Sequence, residues 1–180
     1  MATVKAIAIT HKTAVDTGRH DLLTLVLSAS LPLAVFVLAN GVAELNGTLP
    51  LFFSPFGLPG WVGAALYIGS LPLFGIARWM IAREGHAGRV AARWIVALMA
   101  GAIVFPFIVA PLDSLMLSIA SMALVIVGLA ALARVAQISV KAALVMAPGL
   151  SWLGLSALVG LSFIAGWSPP FGLTNANNSL

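Results

Sequence analysis

Five long apolar stretches constrain this chain more than any other feature of its sequence. Charged or turn residues separate them, and they cover residues 22–43, 61–82, 90–110, 112–133 and 140–167. A helix needs about 20 apolar residues to cross roughly 30 Å of hydrocarbon, and each stretch reaches that length. Because lipid offers the backbone no hydrogen-bond partners, such segments cross as α-helices. The sequence therefore predicts an all-α fold, a polytopic bundle of five transmembrane helices.

The composition supports a chain that lies almost wholly in a membrane. Hydrophobic residues make up 61% of the 180 residues and charged residues 8%, whereas a soluble domain carries roughly 25% charged residues. So few charges could not cover a water-facing surface, and we expect no separate soluble domain. Residues 1–21 are predicted to form a cytoplasmic N-terminal segment, residues 22–167 the membrane domain, and residues 168–180 a polar C-terminal tail.

The basic residues predict the orientation of the chain. All nine Lys and Arg fall on one side of the predicted spans, whereas Glu44 and Asp113 fall on the other. Because basic loops remain in the cytoplasm, we expect a cytoplasmic N-terminus and a periplasmic C-terminus in a bacterial inner membrane. Trp79 and Trp94 are expected to anchor the cytoplasmic interface. The net charge of +4 is thus interpreted as a topology signal, and we expect no nucleic-acid partner.

The sequence offers little for catalysis. Cysteine is absent, and His11, His20 and His86 all fall in the predicted cytoplasmic segments. It contains no nucleophile elbow, no zinc-binding His-Glu-x-x-His helix and no phosphate loop. We therefore predict a protein that is not an enzyme, with no catalytic residue, no metal site and no obligatory cofactor.

Prolines interrupt four of the predicted spans, at positions 32, 72, 106 and 148. Each proline lacks a backbone N–H, which frees a carbonyl oxygen one turn earlier and bends the helix. In a membrane this is tolerated only where a neighbour or a cavity satisfies the carbonyl. The prolines therefore indicate either ordinary packing kinks or open space near one end of the bundle. Trp152 follows Pro148 at mid-membrane depth, where its indole N–H should face protein or a ligand.

Small residues give three of the spans faces on which helices can approach closely. They are Ala97 and Gly101 in the third span, Ser114, Ser118 and Ser121 in the fourth, and Ser156 and Gly160 in the fifth. Such faces are typical of helix–helix contacts in membranes. They predict close packing within the bundle, and one of them is a candidate homodimer interface.

Two short motifs resemble those of a known family. Pro59-Gly60-Trp61-Val62 opens an apolar helix that ends Gly75-Ile76-Ala77, and Pro148-x-Leu150-x-Trp152 lies in the fifth span. Both resemble motifs of the translocator protein/tryptophan-rich sensory protein family (TspO/MBR), as do the five spans and the long aromatic first loop. The chain resembles a divergent member, because Tyr67 stands at the family's second tryptophan and Gly160 at the asparagine of the fifth span.

The resemblance implies a ligand under the first loop, either a tetrapyrrole such as a porphyrin or a sterol-like molecule, bound for sensing, regulation or transport. A flat apolar ligand binds by stacking and burial. The aromatic side chains expected to hold it are Phe53, Phe56, Trp61, Tyr67, Phe105 and Trp152. The loop residues Phe52, Phe53 and Phe56 either form a lid over this ligand or dip into the membrane interface as anchors.

The departures from the family pattern leave a second interpretation open. A divergent member that has lost its ligand would act as a non-catalytic accessory subunit and pack against a larger membrane complex. Besides the lipid bilayer, the predicted partners are therefore a second copy of this chain or other membrane proteins.

Overall fold

The fold is built entirely from α-helices in the part of the chain that the structure describes. This computed structural model describes the backbone of residues 2–54 and 58–167, and the side chains of residues 20–54, 58–113 and 115–162. The helices are α1 Ala2–Leu45, α2 Gly60–Ala82, α3 Gly85–Ile108, α4 Ser114–Ala136 and α5 Val140–Trp167. Each contains a stretch that is long and apolar enough to cross a membrane. The prediction of an all-α bundle of five spans is confirmed, and the chain is an integral membrane protein.

Four helices form a closed ring, and α1 packs on its outside. Around the ring, α2 contacts α3, α3 contacts α4, α4 contacts α5, and α5 returns to α2, while α1 lies along α2 and touches α3 more lightly. Large buried side chains such as Phe74, Leu98 and Met146 fill the middle of the ring. We call the end of the bundle that carries the α1–α2 loop the loop end. The opposite end, with the α2–α3 and α4–α5 turns, is the arginine end.

Turn and cap residues set the helix ends. Gly85 has a φ of 66° at the tight α2–α3 turn, a left-handed conformation that glycine adopts without strain. The Asp113 carboxylate accepts a hydrogen bond from the Met116 N–H at 2.8 Å and so caps α4. The predicted third and fourth spans, 90–110 and 112–133, therefore need correction. Helix α3 ends at residue 108, and α4 begins after Asp113. The Asp113 cap, and not hydropathy, determines where α4 begins.

Helix α1 is longer than a membrane crossing requires. Its 44 residues correspond to about 66 Å at 1.5 Å per residue, whereas a membrane crossing needs about 20 residues. The predicted polar segment, residues 1–21, thus continues the first span as helix from Ala2 onward.

The crossing of α1 and α2 depends on a missing side chain. Gly75 places its backbone against the carbonyl of Ser28, and a Cβ at position 75 would overlap that oxygen. The Ser28 hydroxyl in turn donates to the Gly75 carbonyl at 2.9 Å. The Ser28 carbonyl is the one that Pro32 frees from the helical hydrogen-bond pattern. The proline and the glycine therefore act at the same crossing.

A polar cluster joins α1 to α2 at the arginine end. Arg83 forms an ion pair with Asp21 at 2.8 Å, and its guanidinium lies 3.8 Å from the centre of the Trp79 ring. The Trp79 indole donates to the Thr24 hydroxyl at 3.1 Å. Trp79, which the sequence predicted to be a membrane anchor, thus connects two helices at the arginine end.

Candidate ligand-binding cavity

A cavity of about 430 Å³ lies toward the loop end of the ring. Helices α4 and α5 supply most of its wall, α2 supplies Tyr67, Phe105 and Val109 come from the end of α3 and the residue after it, and the loop residues 51–53 supply the rest. Ligand pockets in proteins typically measure about 300–1,000 Å³. The cavity can therefore hold a small molecule.

Two backbone contacts fix the loop residues 51–53 at the cavity. The Leu51 N–H donates to the Pro106 carbonyl at 2.9 Å. This carbonyl belongs to the last turn of α3, where carbonyls have no intrahelical donor. The Phe53 carbonyl lies against Gly63, and a Cβ at Gly63 would overlap it. The loop is thereby attached to both α3 and α2.

Aromatic rings tie this loop to the helices. The Phe52 ring lies 5.6 Å from the Tyr67 ring on α2 and 6.1 Å from the Phe36 ring on α1. Phe36 in turn lies 5.5 Å from the Phe107 ring on α3. Separations of 4.5–7 Å are those of favourable aromatic pairs. Phe52 is therefore a packing residue that also forms part of the cavity lining.

The Tyr67 hydroxyl satisfies a carbonyl that a proline has freed. It donates to the Ala102 carbonyl at 2.7 Å, and Ala102 lies four residues before Pro106, whose missing N–H would otherwise have been the donor. A neighbouring helix thus supplies the partner that the bend at Pro106 requires. The hydroxyl proton is used in this bond, so the part of Tyr67 that can contact a ligand is its ring.

The structure brings four of the six predicted site residues together. Phe53, Tyr67, Phe105 and Trp152 all belong to the cavity lining. Trp61 does not, and 72% of it is exposed. It precedes Tyr67 by six residues, which is about 240° around a helix of 3.6 residues per turn, so the two side chains lie on different faces of α2. Phe56 lies outside the described residues.

Small residues of α4 and α5 form part of the cavity wall. Ser118, Ser121, Ser156 and Gly160 belong to the lining, and a Cβ on Gly160 would meet no atom within 4 Å. Of the predicted packing faces, Gly101 does contact α4, through the side chain of Leu124. Sequence analysis assigned these serines to helix packing and not to a cavity wall. Small residues at helical spacing occur both where two helices touch and where they leave a gap, so the spacing does not distinguish the two.

The lining offers apolar burial, aromatic faces and hydroxyl groups. Among the residues that the structure describes, the lining includes no Asp, Glu, His, Lys or Arg. In the described ranges, no three or more His, Cys, Asp or Glu side chains come together as a metal site would require. Such a wall is suited to an uncharged, mainly apolar molecule.

Comparison with known proteins gives no relative on which an assignment could rest. No protein-family model matches the chain, and neither does any curated protein or any solved structure. The resemblance to the TspO/MBR family therefore stays a prediction, based on the motifs in α2 and α5.

Proposed function

We propose that this membrane protein binds a flat hydrophobic molecule in the cavity beside its first loop, for sensing, regulation or transport. The observation that carries the proposal is the grouping of Phe53, Tyr67, Phe105 and Trp152 around one cavity of about 430 Å³. A tetrapyrrole or a sterol-like molecule, as the TspO/MBR resemblance implies, has the flat apolar surface that such rings contact.

Aromatic contact matters here because hydrophobic burial alone gives little selectivity. A ligand of this kind dissolves first in the bilayer, whose acyl chains are as apolar as the cavity wall. Moving from lipid into the cavity therefore removes little further apolar surface from water. Shape, ring stacking and polar contacts must therefore make the bound ligand more stable than the ligand dissolved in lipid. An aromatic pair contributes about 0.5–1.5 kcal/mol to that difference.

The same proposal includes an orientation in the membrane. Because the Lys and Arg of the sequence all lie toward the arginine end or before the first span, we place that end in the cytoplasm. The cavity then lies on the periplasmic side of a bacterial inner membrane, with the C-terminus also outside.

A titration with two uncharged probes tests the proposed function. Protoporphyrin dimethyl ester and the fluorescent sterol dehydroergosterol are added separately to the protein in lipid nanodiscs, and the decrease in tryptophan emission is recorded. Trp152 belongs to the cavity lining and Trp61 does not. We expect saturable quenching by at least one probe. Trp152→Phe should remove most of that signal and weaken binding by about 1 kcal/mol, because the indole area and N–H are lost.

Trp61→Phe is the matched control for this titration. It makes the same chemical change at an exposed position of α2, so the saturable component should be retained. Quenching that never saturates, or that falls equally in both variants, would show that the probes only partition into lipid. The ligand-binding proposal would then be rejected.

The exposed faces of α1 and α4 support the alternative that this protein is an accessory subunit. Only 17% of each of their apolar spans is buried, against 39–44% in α2, α3 and α5. Those faces contact either lipid or another membrane protein. Purification in mild detergent followed by mass measurement separates the two, since co-purification of a defined larger complex would favour the accessory role.

A further inference from the structure

The hydroxyl of Ser156 is buried and has no hydrogen-bond partner in the portion of the chain that the structure describes. Other serines in the spans do have one, and two of them lie in α4 and α5. Ser121 donates to the Leu117 carbonyl at 2.6 Å, and Ser162 donates to the Leu158 carbonyl at 2.8 Å, each one turn back along its helix. A buried polar group without a partner costs about 1–3 kcal/mol. The unused hydroxyl of Ser156 therefore suggests a partner that is not part of this chain.

Ser156 belongs to the cavity lining, and its hydroxyl, which protein atoms cover in this conformation, would reach a ligand there by rotation about the Cα–Cβ bond. Trp152, Ser156 and Gly160 all belong to the cavity lining, and their spacing of four residues places them along one face of α5. Gly160 has open space beside it, since a methyl group at this position would meet no atom within 4 Å. A ligand lying along this face would contact the Trp152 ring and meet Ser156 one turn further on.

The lining also restricts the charge of the ligand. No described residue of the lining carries a cationic or anionic side chain, and the Tyr67 hydroxyl already donates to the Ala102 carbonyl. A charge buried without a counter-charge loses its solvation at a cost of several kcal/mol. The part of the ligand inside the cavity must therefore be neutral.

We propose that Ser156 is the polar anchor of the cavity and selects an uncharged ligand that carries a hydroxyl or ketone oxygen on a flat apolar skeleton. This inference rests on the proposed function and narrows its ligand class. Lipid acyl chains offer no hydrogen-bond partner, so a bond to Ser156 distinguishes the cavity from the bilayer around it. The ligand likewise gives a partner to the hydroxyl, which has none among the described residues of the protein.

Three pyrene probes that differ only at one end test this inference. They are 1-butylpyrene, 1-pyrenebutanol and 1-pyrenebutanoate, and each is titrated into protein in phosphatidylcholine nanodiscs. The saturable energy transfer from tryptophan to pyrene is measured and corrected for partition into empty nanodiscs. We expect the alcohol to bind about fivefold more tightly than the hydrocarbon, the equivalent of about 1 kcal/mol at 1.4 kcal/mol per factor of ten. The carboxylate should bind more weakly than the alcohol.

Ser156→Ala and Ser162→Ala make the same change on the same helix. In Ser156→Ala the alcohol should lose its advantage while the hydrocarbon binds as before. In Ser162→Ala, which alters a serine outside the cavity, the advantage should remain. An alcohol preference that survives Ser156→Ala, or tightest binding by the carboxylate, overturns the inference but leaves the proposed function standing. If no pyrene probe gives saturable transfer in the unaltered protein, this inference fails, and the proposed function fails with it only if the porphyrin and sterol titrations do not saturate either.

Discussion

Tyr67 and Pro106 act as a pair at the scale of single residues. The proline removes the N–H that would have bonded the Ala102 carbonyl, and the tyrosine hydroxyl donates to that carbonyl at 2.7 Å from the neighbouring helix. Because lipid cannot replace the missing donor, an unsatisfied carbonyl in a span costs several kcal/mol. The bond thus joins α2 to α3 beside the cavity.

A double-mutant cycle measures this coupling. Tyr67→Phe removes the donor and should lower the free energy of unfolding by about 1–3 kcal/mol. Pro106→Ala restores an N–H at position 106, so that Ala102 regains a helical partner. In the Pro106→Ala variant, Tyr67→Phe should therefore lower the free energy of unfolding by less than it does in the unaltered protein. Unfolding in mixed micelles, followed by circular dichroism, gives the four free energies, and strictly additive effects would contradict the pairing.

Sequence analysis could name aromatic residues at the site but not the faces on which they lie. The motif in α2 contains both Trp61 and Tyr67, and only the helical rotation between them assigns one to the exposed surface and the other to the cavity lining. Ser156 was open to a packing interpretation, because whether its hydroxyl finds a partner among the described residues depends on the surrounding helices. The spacing of residues along one helix does not show which other helices surround it.

At the scale of elements, the α1–α2 crossing is set by Gly75. A methyl group at Gly75 would overlap the Ser28 carbonyl, whereas a methyl group at Gly69 on the same helix would meet nothing within 4 Å. Gly75→Ala should therefore destabilise the protein by about 1–3 kcal/mol through overpacking. Gly69→Ala should be neutral or stabilising by up to about 1 kcal/mol, because alanine favours helix. Equal melting temperatures for the two variants would contradict this crossing.

The contact of the first loop with α2 depends on Gly63 in the same way. A Cβ at Gly63 would overlap the Phe53 carbonyl, but Gly60 has open space. We expect slow hydrogen exchange at the Leu51 amide, which is bonded to the Pro106 carbonyl. Exchange there should be faster in Gly63→Ala and unchanged in Gly60→Ala. If the Leu51 amide already exchanges as quickly as an unprotected amide, the loop does not hold this position.

Hydropathy was sufficient to predict the number and approximate place of the helices, since each span must reach bilayer length. It could not locate their ends. The start of α4 depends on the Asp113 cap, and α1 extends to Ala2 through residues whose polarity suggested a separate segment. Helix continuation and capping depend on local hydrogen bonds, which average hydropathy does not describe.

At the scale of the whole molecule, the orientation is directly testable because the chain has no native cysteine. Single cysteines replace His86, which is exposed at the arginine end, and Leu49, which is 67% exposed at the loop end. A membrane-impermeant thiol reagent added to intact cells should label Leu49→Cys. His86→Cys should react only after the membrane is opened. The reverse pattern would contradict a cytoplasmic arginine end.

The arrangement of the helices around the cavity was beyond sequence analysis for a physical reason. In a bilayer, both the lipid-facing and the buried side of a helix are apolar, so periodicity does not mark the inner face. The span of α1 is more apolar than that of α3, with a mean hydropathy of 2.4 against 1.9, yet 17% of it is buried against 44%. The ring order, and with it the cavity, follows from packing between distant segments.

The claim that the cavity is the binding site is tested most directly by filling it. Gly160 and Gly154 both lie on α5 with open space beside them, but only Gly160 belongs to the cavity lining. Leucine favours helix over glycine at either position, so both Gly160→Leu and Gly154→Leu should fold. Binding of whichever probe saturates in the unaltered protein, protoporphyrin dimethyl ester or dehydroergosterol, should weaken at least about tenfold in Gly160→Leu, or about 1.4 kcal/mol, and stay unchanged in Gly154→Leu. Equal binding by the two variants would show that the ligand binds elsewhere.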